Sequence, residues 1–163
     1  MKSIIILGSS RSNGNTKKVV DFVLNQNPDF GFIDLNELKL HYFNYDHSNL
    51  DDDFIPSIEK ILQYDRIILA SPVYWYAVSA IMKTFIDRIT DLLKARHDLG
   101  IQLKGKTLGS ISCSGHDDLD DSYWKPLALT ADYLHMKYHA HIHVAYEDGL
   151  SDAMKARLSF FNK

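Results

Sequence analysis

Short apolar runs alternate with amphipathic stretches along this chain, and that alternation restricts its fold more than any other feature. The apolar runs are Ser3–Leu7, Arg66–Ala70, Thr107–Cys113 and Tyr138–Tyr146. Three are continuous or nearly so, as expected of strands buried on both faces. Gly31–Leu35, after Pro28-Asp29, is a weaker fifth. Helical patterns lie between them. Thr16–Gln26 carries Val19, Val20, Phe22 and Val23; Pro56–Tyr64 carries Ile58, Ile61 and Leu62, with Pro56 suited to a first helical turn. Val78–Ala95 is the clearest. Its apolar positions (Val78, Ile81, Met82, Phe85, Ile86, Ile89, Leu92, Leu93) follow the i, i+3, i+4, i+7 spacing, with Lys83, Asp87, Asp91 and Lys94 on other faces. Tyr123–Met136 and a closing Ser151–Phe161 complete the series.

Strands that alternate with helices imply right-handed crossovers and one parallel sheet covered on both faces. The fold expected is therefore α/β, a doubly wound five-stranded parallel sheet in the flavodoxin-like order 2-1-3-4-5. A length of 163 residues predicts a single domain, 1–163. Hydrophobic residues make up 45% and charged residues 24%, so global disorder is not expected. The net charge of −3 argues against nucleic-acid binding and against a polybasic membrane-surface protein. No run reaches the roughly 18 apolar residues of a membrane span. The opening Ile4-Ile5-Ile6-Leu7 is too short for a signal-peptide core. The expected location is the cytoplasm, with no membrane partner. A single cysteine, Cys113, excludes an internal disulfide framework, a Cys₄ zinc site and a cluster held by this chain's cysteines. Asp51-Asp52-Asp53 reads as a solvated acidic loop with Asp53 near a helix N-terminus.

In such sheets, ligands bind beyond the carboxyl ends of the strands. The loop after the first strand is Gly8-Ser9-Ser10-Arg11-Ser12-Asn13-Gly14-Asn15-Thr16. It is longer than the roughly 2–6 residues usual for such connections. It has no apolar residue and leads into a helix whose free N–H groups and dipole favour an anion. Ser9, Arg11, Asn13, Asn15 and Thr16 can supply charge-assisted hydrogen bonds to a phosphate. It is neither a Walker loop nor a Gly-x-Gly-x-x-Gly turn. The simpler reading is a polar loop with Asn15 or Thr16 as a helix cap.

After the third strand comes Ser71-Pro72-Val73-Tyr74-Trp75-Tyr76-Ala77-Val78-Ser79. Three consecutive aromatics offer a flat surface for a conjugated ring, or else a dimer interface. A phosphate site beside a flat-ring site fits a ligand with one phosphate and a tricyclic ring, and FMN matches that description.

The first loop, Ser71-Pro72-Val73-Tyr74-Trp75, and Met82-Lys83-x-Phe85-x-Asp87-Arg88 together resemble the flavodoxin-like NAD(P)H-dependent FMN reductase family, over Lys2 to about Tyr146. The resemblance implies that Ser9, Arg11, Asn13, Asn15 and Thr16 hold the FMN phosphate. It places Pro72, Val73, Tyr74 and Trp75 along the ribityl chain and isoalloxazine. Cys113-Ser114-Gly115-His116, with Ser114 and Gly115 as cofactor-binding residues, would close on the pyrimidine end. Relatives are often glycine-rich there, whereas this chain has only Gly115. Some relatives carry a cysteine cluster after the second strand; here His41–His47 contains none. The implied activity is oxidoreduction, with hydride passing from NADPH or NADH to FMN and on to a small acceptor (a quinone, a nitro or azo compound, flavin or a metal ion). The flavin carries such chemistry, so no catalytic side chain is named. Backbone N–H groups near Trp75 and Gly115 would stabilise charge on the reduced ring. A homodimer with the flavin near its interface is also implied.

The alternative from another class is a non-enzymatic flavodoxin-type shuttle, which is usually strongly acidic; a charge of −3 does not favour it. His139, His141 and His143 alternate and would share one strand face, with His135 nearby. No metal site is expected, because they lack a supporting ligand pattern and a polar edge face explains them. Cys113 reads as a small buried side chain. Ser114 and His116 lack the Gly-x-Ser-x-Gly elbow of a hydrolase.

Overall fold

A computed structural model of the protein describes residues 1–162. Five parallel strands form one sheet in the order β2-β1-β3-β4-β5. They are β1 (Ser3–Leu7), β2 (Gly31–Asp34), β3 (Arg66–Pro72), β4 (Thr107–Ser114) and β5 (Lys137–Ala145). The helices are α1 (Asn15–Gln26), α2 (Phe54–Ile61), α3 (Ala80–Asp87), α4 (Ile89–Lys94), α5 (His97–Gly100), α6 (Lys125–Tyr133) and α7 (Asp152–Leu158). The expected strand order is borne out.

The continuous apolar runs follow from burial on both faces. Alternate residues of β1 face opposite ways. Ile4 and Ile6 join one core with Ile67 and Leu69 of β3, against α2, α3, α4 and α6. Ile5 and Leu7 join the other with Ile68 and Ala70, against Val19, Val20 and Val23 of α1 and Leu158 of α7. Each buried Ile, Leu or Val side chain contributes about 1.5–3 kcal/mol by leaving water.

The expected helix Val78–Ala95 is two helices. Ser79 caps α3 by accepting from the Met82 N–H, so the helix begins at Ala80. The break falls at Arg88, whose N–H turns toward the carbonyls of Thr84 and Ile86. Its guanidinium is drawn inward by the carboxylates of Asp52 and Asp91. The same contact corrects the acidic-loop reading. Asp52 is buried, and its other hydrogen bonds come from the N–H groups of His41 and Phe54. Asp53 does precede α2, but its carboxylate accepts from the Lys39 N–H and does not cap the helix. Arg88 also donates to the carbonyls of His41 and Asn49. The irregular segment 38–53 is thus fastened to the helical layer from inside.

A second correction concerns β5. A register shift against Leu108/Gly109 of β4 inverts the alternation after Tyr138. His139 therefore stacks on Phe160 (ring centroids 4.8 Å apart) on the α1/α7 side. His141 lies tilted against Tyr123 (5.5 Å) and stacked on Trp124 (6.5 Å) on the other. The three histidines do not share a face. Other boundaries moved by one to three residues: α2 ends at Ile61 and α6 at Tyr133, and a 3₁₀ turn Ser159–Asn162 follows α7. None of the described helices is long and apolar enough to cross a membrane.

Candidate functional site

Three loops meet beyond the carboxyl ends of β1, β3 and β4. The first leaves β1 at Gly8, whose N–H still bonds the Ala70 carbonyl at 2.8 Å. A Cβ on Gly8 would sit 2.7 Å from Met82 Cβ, so only glycine lets β1 pass this close to α3. Ser79 joins the two elements: its hydroxyl donates to the Gly8 carbonyl at 2.7 Å while capping α3.

Beyond Gly8 the loop turns outward. Ser9 is buried, and its hydroxyl accepts from the Arg11 N–H at 3.3 Å. Ser10, Arg11, Ser12 and Asn13 are exposed, Asn15 is half-buried and Thr16 is buried. The N-cap of α1 is Gly14, not Asn15 or Thr16, and no side chain caps the helix. Its first turn carries no acidic residue. The first intrahelical bond runs from the Lys18 N–H to the Gly14 carbonyl. The preceding N–H groups have no acceptor within the helix and face the loop with the positive end of the dipole. Asn36 is a contributor that the sequence reading overlooked. Its side-chain amide donates to the Ser9 carbonyl and, at 3.4 Å, to the Ser12 hydroxyl. A polar Asp34-Leu35-Asn36 turn at the end of β2 was the available signal.

The second loop is a tight reversal. Tyr74 and Ala77 exchange backbone hydrogen bonds of 2.9 and 3.1 Å, with Trp75 and Tyr76 at the corner. Both have positive φ, 50° and 61°. A turn with two left-handed residues ordinarily takes Asn-Gly; each bulky residue held there costs about 1–3 kcal/mol. The side chains are turned to solvent all the same: Trp75 is 94% exposed, Tyr76 63% and Tyr74 42%. Pro72 ends β3 and is buried, and Val73 is half-buried against the core. Of the four residues expected here, the two aromatics present the open surface.

The third loop opens after Ser114, one residue later than expected. The Ser114 hydroxyl donates to the His116 carbonyl at 2.7 Å and accepts from the His116 N–H at 3.2 Å. Gly115, at the tip of this small turn, faces open space.

The loops are physically linked. Ser10 Oγ and Tyr74 Oη lie 2.7 Å apart, joining the first to the second. The Val73 N–H bonds the Cys113 carbonyl at 2.9 Å, joining the second to the base of the third. Cys113 itself is buried, as expected. Burial pushes its thiol up to about 11, against a smaller opposing effect of the Thr16 hydroxyl.

Beneath the third loop runs a line of polar side chains that the sequence reading took for a polar edge face. Tyr138 Oη is 2.8 Å from Ser110 Oγ, which is 2.8 Å from His141 Nδ1. His141 Nε2 is 3.1 Å from Ser112 Oγ, which is 2.7 Å from His143 Nδ1. His143 Nε2 ends the line, 2.7 Å from the His116 carbonyl and 3.3 Å from Ser114 Oγ. No set of three or more His, Cys, Asp or Glu among the described residues is arranged to hold a metal.

The three loops thus bring together an uncapped helix start beside Arg11, exposed aromatics and an open glycine turn. A family model described as NADPH-dependent FMN reductase matches residues 1–147. An iron–sulfur flavoprotein of Archaeoglobus fulgidus is 37% identical over 122 residues, 68% of this chain and 53% of that protein. The chain spans about half the length of that relative, and its one cysteine cannot by itself ligate a cluster. Among solved structures, the Trp repressor binding protein from Bacillus subtilis superposes with a TM-score of 0.77 at 22% identity, covering 97% of this chain and 95% of that one. FerB, a flavoenzyme NAD(P)H:(acceptor) oxidoreductase from Paracoccus denitrificans, gives 0.77 at 15% identity over 99% and 95%. At those identities the likeness is one of fold. The sequence match, spanning β1 to the end of β5, carries the assignment: the chain belongs to the NADPH-dependent FMN reductase family.

Proposed function

We propose that the protein is a flavoenzyme that holds FMN across these three loops and passes reducing equivalents from a reduced nicotinamide to a small acceptor. The observation that carries this reading is the 2.7 Å contact between Ser10 and Tyr74. It ties an anion-seeking helix terminus to an exposed aromatic turn, so the two chemistries FMN requires sit side by side. Arg11, Asn13, Asn15 and Thr16, with the N–H groups of the first turn of α1, would hold the phosphate. Ser9 would act by shaping the loop. Tyr74 and Trp75 would flank the ribityl chain and ring over Pro72 and Val73, and the Ser114–Gly115 turn would close on the ring's polar edge. FMN, when bound, supplies the hydride-accepting centre. The chain's own part is to bind, to orient and to leave one face open to nicotinamide and acceptor in turn.

A homodimer belongs to the same reading. Leu129 and Tyr133 of α6 are exposed and share an apolar groove with Ile89 and Leu93 of α4. Light scattering on the purified protein measures it directly.

The decisive experiment is to load the protein with FMN, mix it anaerobically with NADPH or with NADH, and follow the flavin's visible absorbance. Rapid bleaching is expected, and the faster donor identifies the preferred nucleotide. Bound flavin that ignores both nucleotides but accepts single electrons from a chemical reductant would make the protein a shuttle. Failure to take up FMN would end the reading.

A further inference from the structure

While His143 is neutral, the polar line along β4 and β5 has only one internally consistent direction. The His116 carbonyl can only accept, so the neutral His143 carries its proton on Nε2 and accepts at Nδ1 from the Ser112 hydroxyl. Ser112 must then accept from His141 Nε2–H. His141 in turn accepts at Nδ1 from Ser110, and Ser110 accepts from the Tyr138 phenol. A single carbonyl at the third loop thus sets five hydrogen bonds, with no buried side-chain polar atom left unpartnered among the described residues.

A second arrangement is equally complete. If a proton arrives at Tyr138, each member can pass its own proton one place along. Tyr138 gives to Ser110, Ser110 to His141 Nδ1, His141 Nε2 to Ser112, and Ser112 to His143 Nδ1. Every hydrogen bond is kept: the four from Tyr138 to His143 are reversed, His143 Nε2–H still donates to the His116 carbonyl, His141 ends neutral with its proton on Nδ1, and the one added positive charge resides on His143. Each separation in the line is 3.1 Å or less, within hydrogen-bond range. The alternative, protonating His143 with the rest unchanged, leaves the Ser112 hydroxyl proton without an acceptor in a fully buried site.

We propose that Tyr138, Ser110, His141, Ser112 and His143 form a proton-conducting line ending under the third cofactor loop, through which His143 gains a proton when the bound ring gains negative charge. The inference rests on the FMN reading above. Hydride transfer brings one proton and two electrons from the reduced nicotinamide, which leaves as the oxidised cation. The ring is left one unit more negative. One proton taken from solvent at the half-buried Tyr138 appears as charge on His143, so the site's net charge is restored and no further oxidant or reductant is needed. The groups surrounding the histidines suit this role. Tyr123 and Trp124 cover His141 from the α6 side, Arg157 approaches it from α7, and the titratable groups of the line on the His143 side are His141 and, further along, Tyr138, with His116 in the turn. Burial, with smaller contributions from His143 and Arg157, lowers His141 to about 4. It therefore relays near neutrality without storing charge. Tyr138, Ser110, His141, Ser112 and His143 are positioning residues in this scheme, since none is placed on the reacting atoms.

The test is an ¹⁵N NMR titration of imidazole nitrogens in the flavin-free protein between pH 8 and pH 5. At the upper end, both His141 and His143 should carry their protons on Nε2. As His143 charges, the neutral His141 should switch from Nε2–H to Nδ1–H with the same midpoint. In Ser112→Ala, and independently in Ser110→Ala, His143 should still titrate but the His141 switch should vanish. Retention of the Nε2–H form of His141 in the native protein throughout the His143 titration would overturn the proposal, whether or not either variant folds. With FMN bound and then reduced at fixed pH, His143 should gain a proton and His141 should switch to Nδ1–H; neither change, with flavin demonstrably bound, also overturns it. Absence of FMN uptake, read separately by absorbance, removes the functional reading on which the proposal rests, whatever the tautomers do.

Discussion

Arg88 Nη1 lies 2.5 Å from Asp52 Oδ2 with both side chains sealed from solvent. Asp91, whose other carboxylate oxygen meets the His47 ring at 2.7 Å, completes the charge balance from the next turn of helix. The ring of Phe54 lies 4.7 Å from the guanidinium carbon. Burial alone would raise the Asp52 carboxyl. Hydrogen bonds from Arg88, His41 and Phe54 outweigh it and hold the group below its ordinary value.

Removing this carboxylate leaves a buried cation short of a partner, a change that typically costs about 3–5 kcal/mol. Asp52→Asn should lower stability by that order in urea denaturation, with the segment 38–53 losing amide-exchange protection first. The sign with pH follows from the lowered value. The ion pair's contribution is complete above the ordinary carboxylate range and is lost as pH falls through the folded-state value. The native protein should therefore lose stability steeply below about pH 4, and Asp52→Asn less steeply.

Tyr76 at φ 61° holds a conformation that glycine adopts freely. Tyr76→Gly should leave thermal stability unchanged or raise it by about 1 kcal/mol, because the left-handed strain is relieved. If the turn serves the cofactor, the same variant should bind FMN more weakly, since a flexible turn must be ordered on binding. Calorimetric melting and a fluorescence titration with FMN separate the two effects. A loss of stability without loss of affinity would make the turn a purely structural feature.

How much of this was legible beforehand follows from which interactions are local. The strands of β1 and β3 were readable because burial on both faces leaves unbroken apolar runs, and their order followed from alternation with helices. The loop residues Ser9, Arg11, Asn13, Tyr74 and Trp75 stood out because polar or aromatic clusters between strands have few structural uses. The Arg88–Asp52 pair was not readable: the partners are 36 positions apart, and Asp52 sits in an acidic run that looks solvated. Strict alternation puts the three histidines of β5 on one face, but one irregularity at Leu108/Gly109 sends His139 to the opposite face. Serines 110, 112 and 114 carried the missing signal, since three polar residues in a buried strand need partners.

Cys113 gives a chemical test of packing at the base of the third loop. It lies on β4, buried in the core shared with α1, and burial raises its thiol to about 11. The reactive thiolate is therefore scarce at neutral pH. Alkylation by iodoacetamide at pH 7.5 should be negligible in the folded protein and proceed readily in denaturant. If the native rate approaches that of the unfolded chain, β4 opens at this point on the time scale of labelling.

Arg11 is the only charged residue in the first loop, and it is exposed, so its removal leaves the fold untouched. No carboxylate is paired with it among the ion pairs of the described residues. In the proposed function its guanidinium meets the phosphate together with the N–H groups of α1. A charge-assisted hydrogen bond of this kind contributes about 1.5–3 kcal/mol, or roughly a 10- to 150-fold change in affinity. Arg11→Ala should weaken FMN binding by that factor with an unchanged melting temperature. Arg11→Lys should recover part of it, because a lysine restores the charge but not the planar fork. Binding of riboflavin, which lacks the phosphate, should be weak in the native protein and indifferent to both substitutions. Equal sensitivity of FMN and riboflavin to Arg11→Ala would place the arginine against the ring and move the phosphate elsewhere.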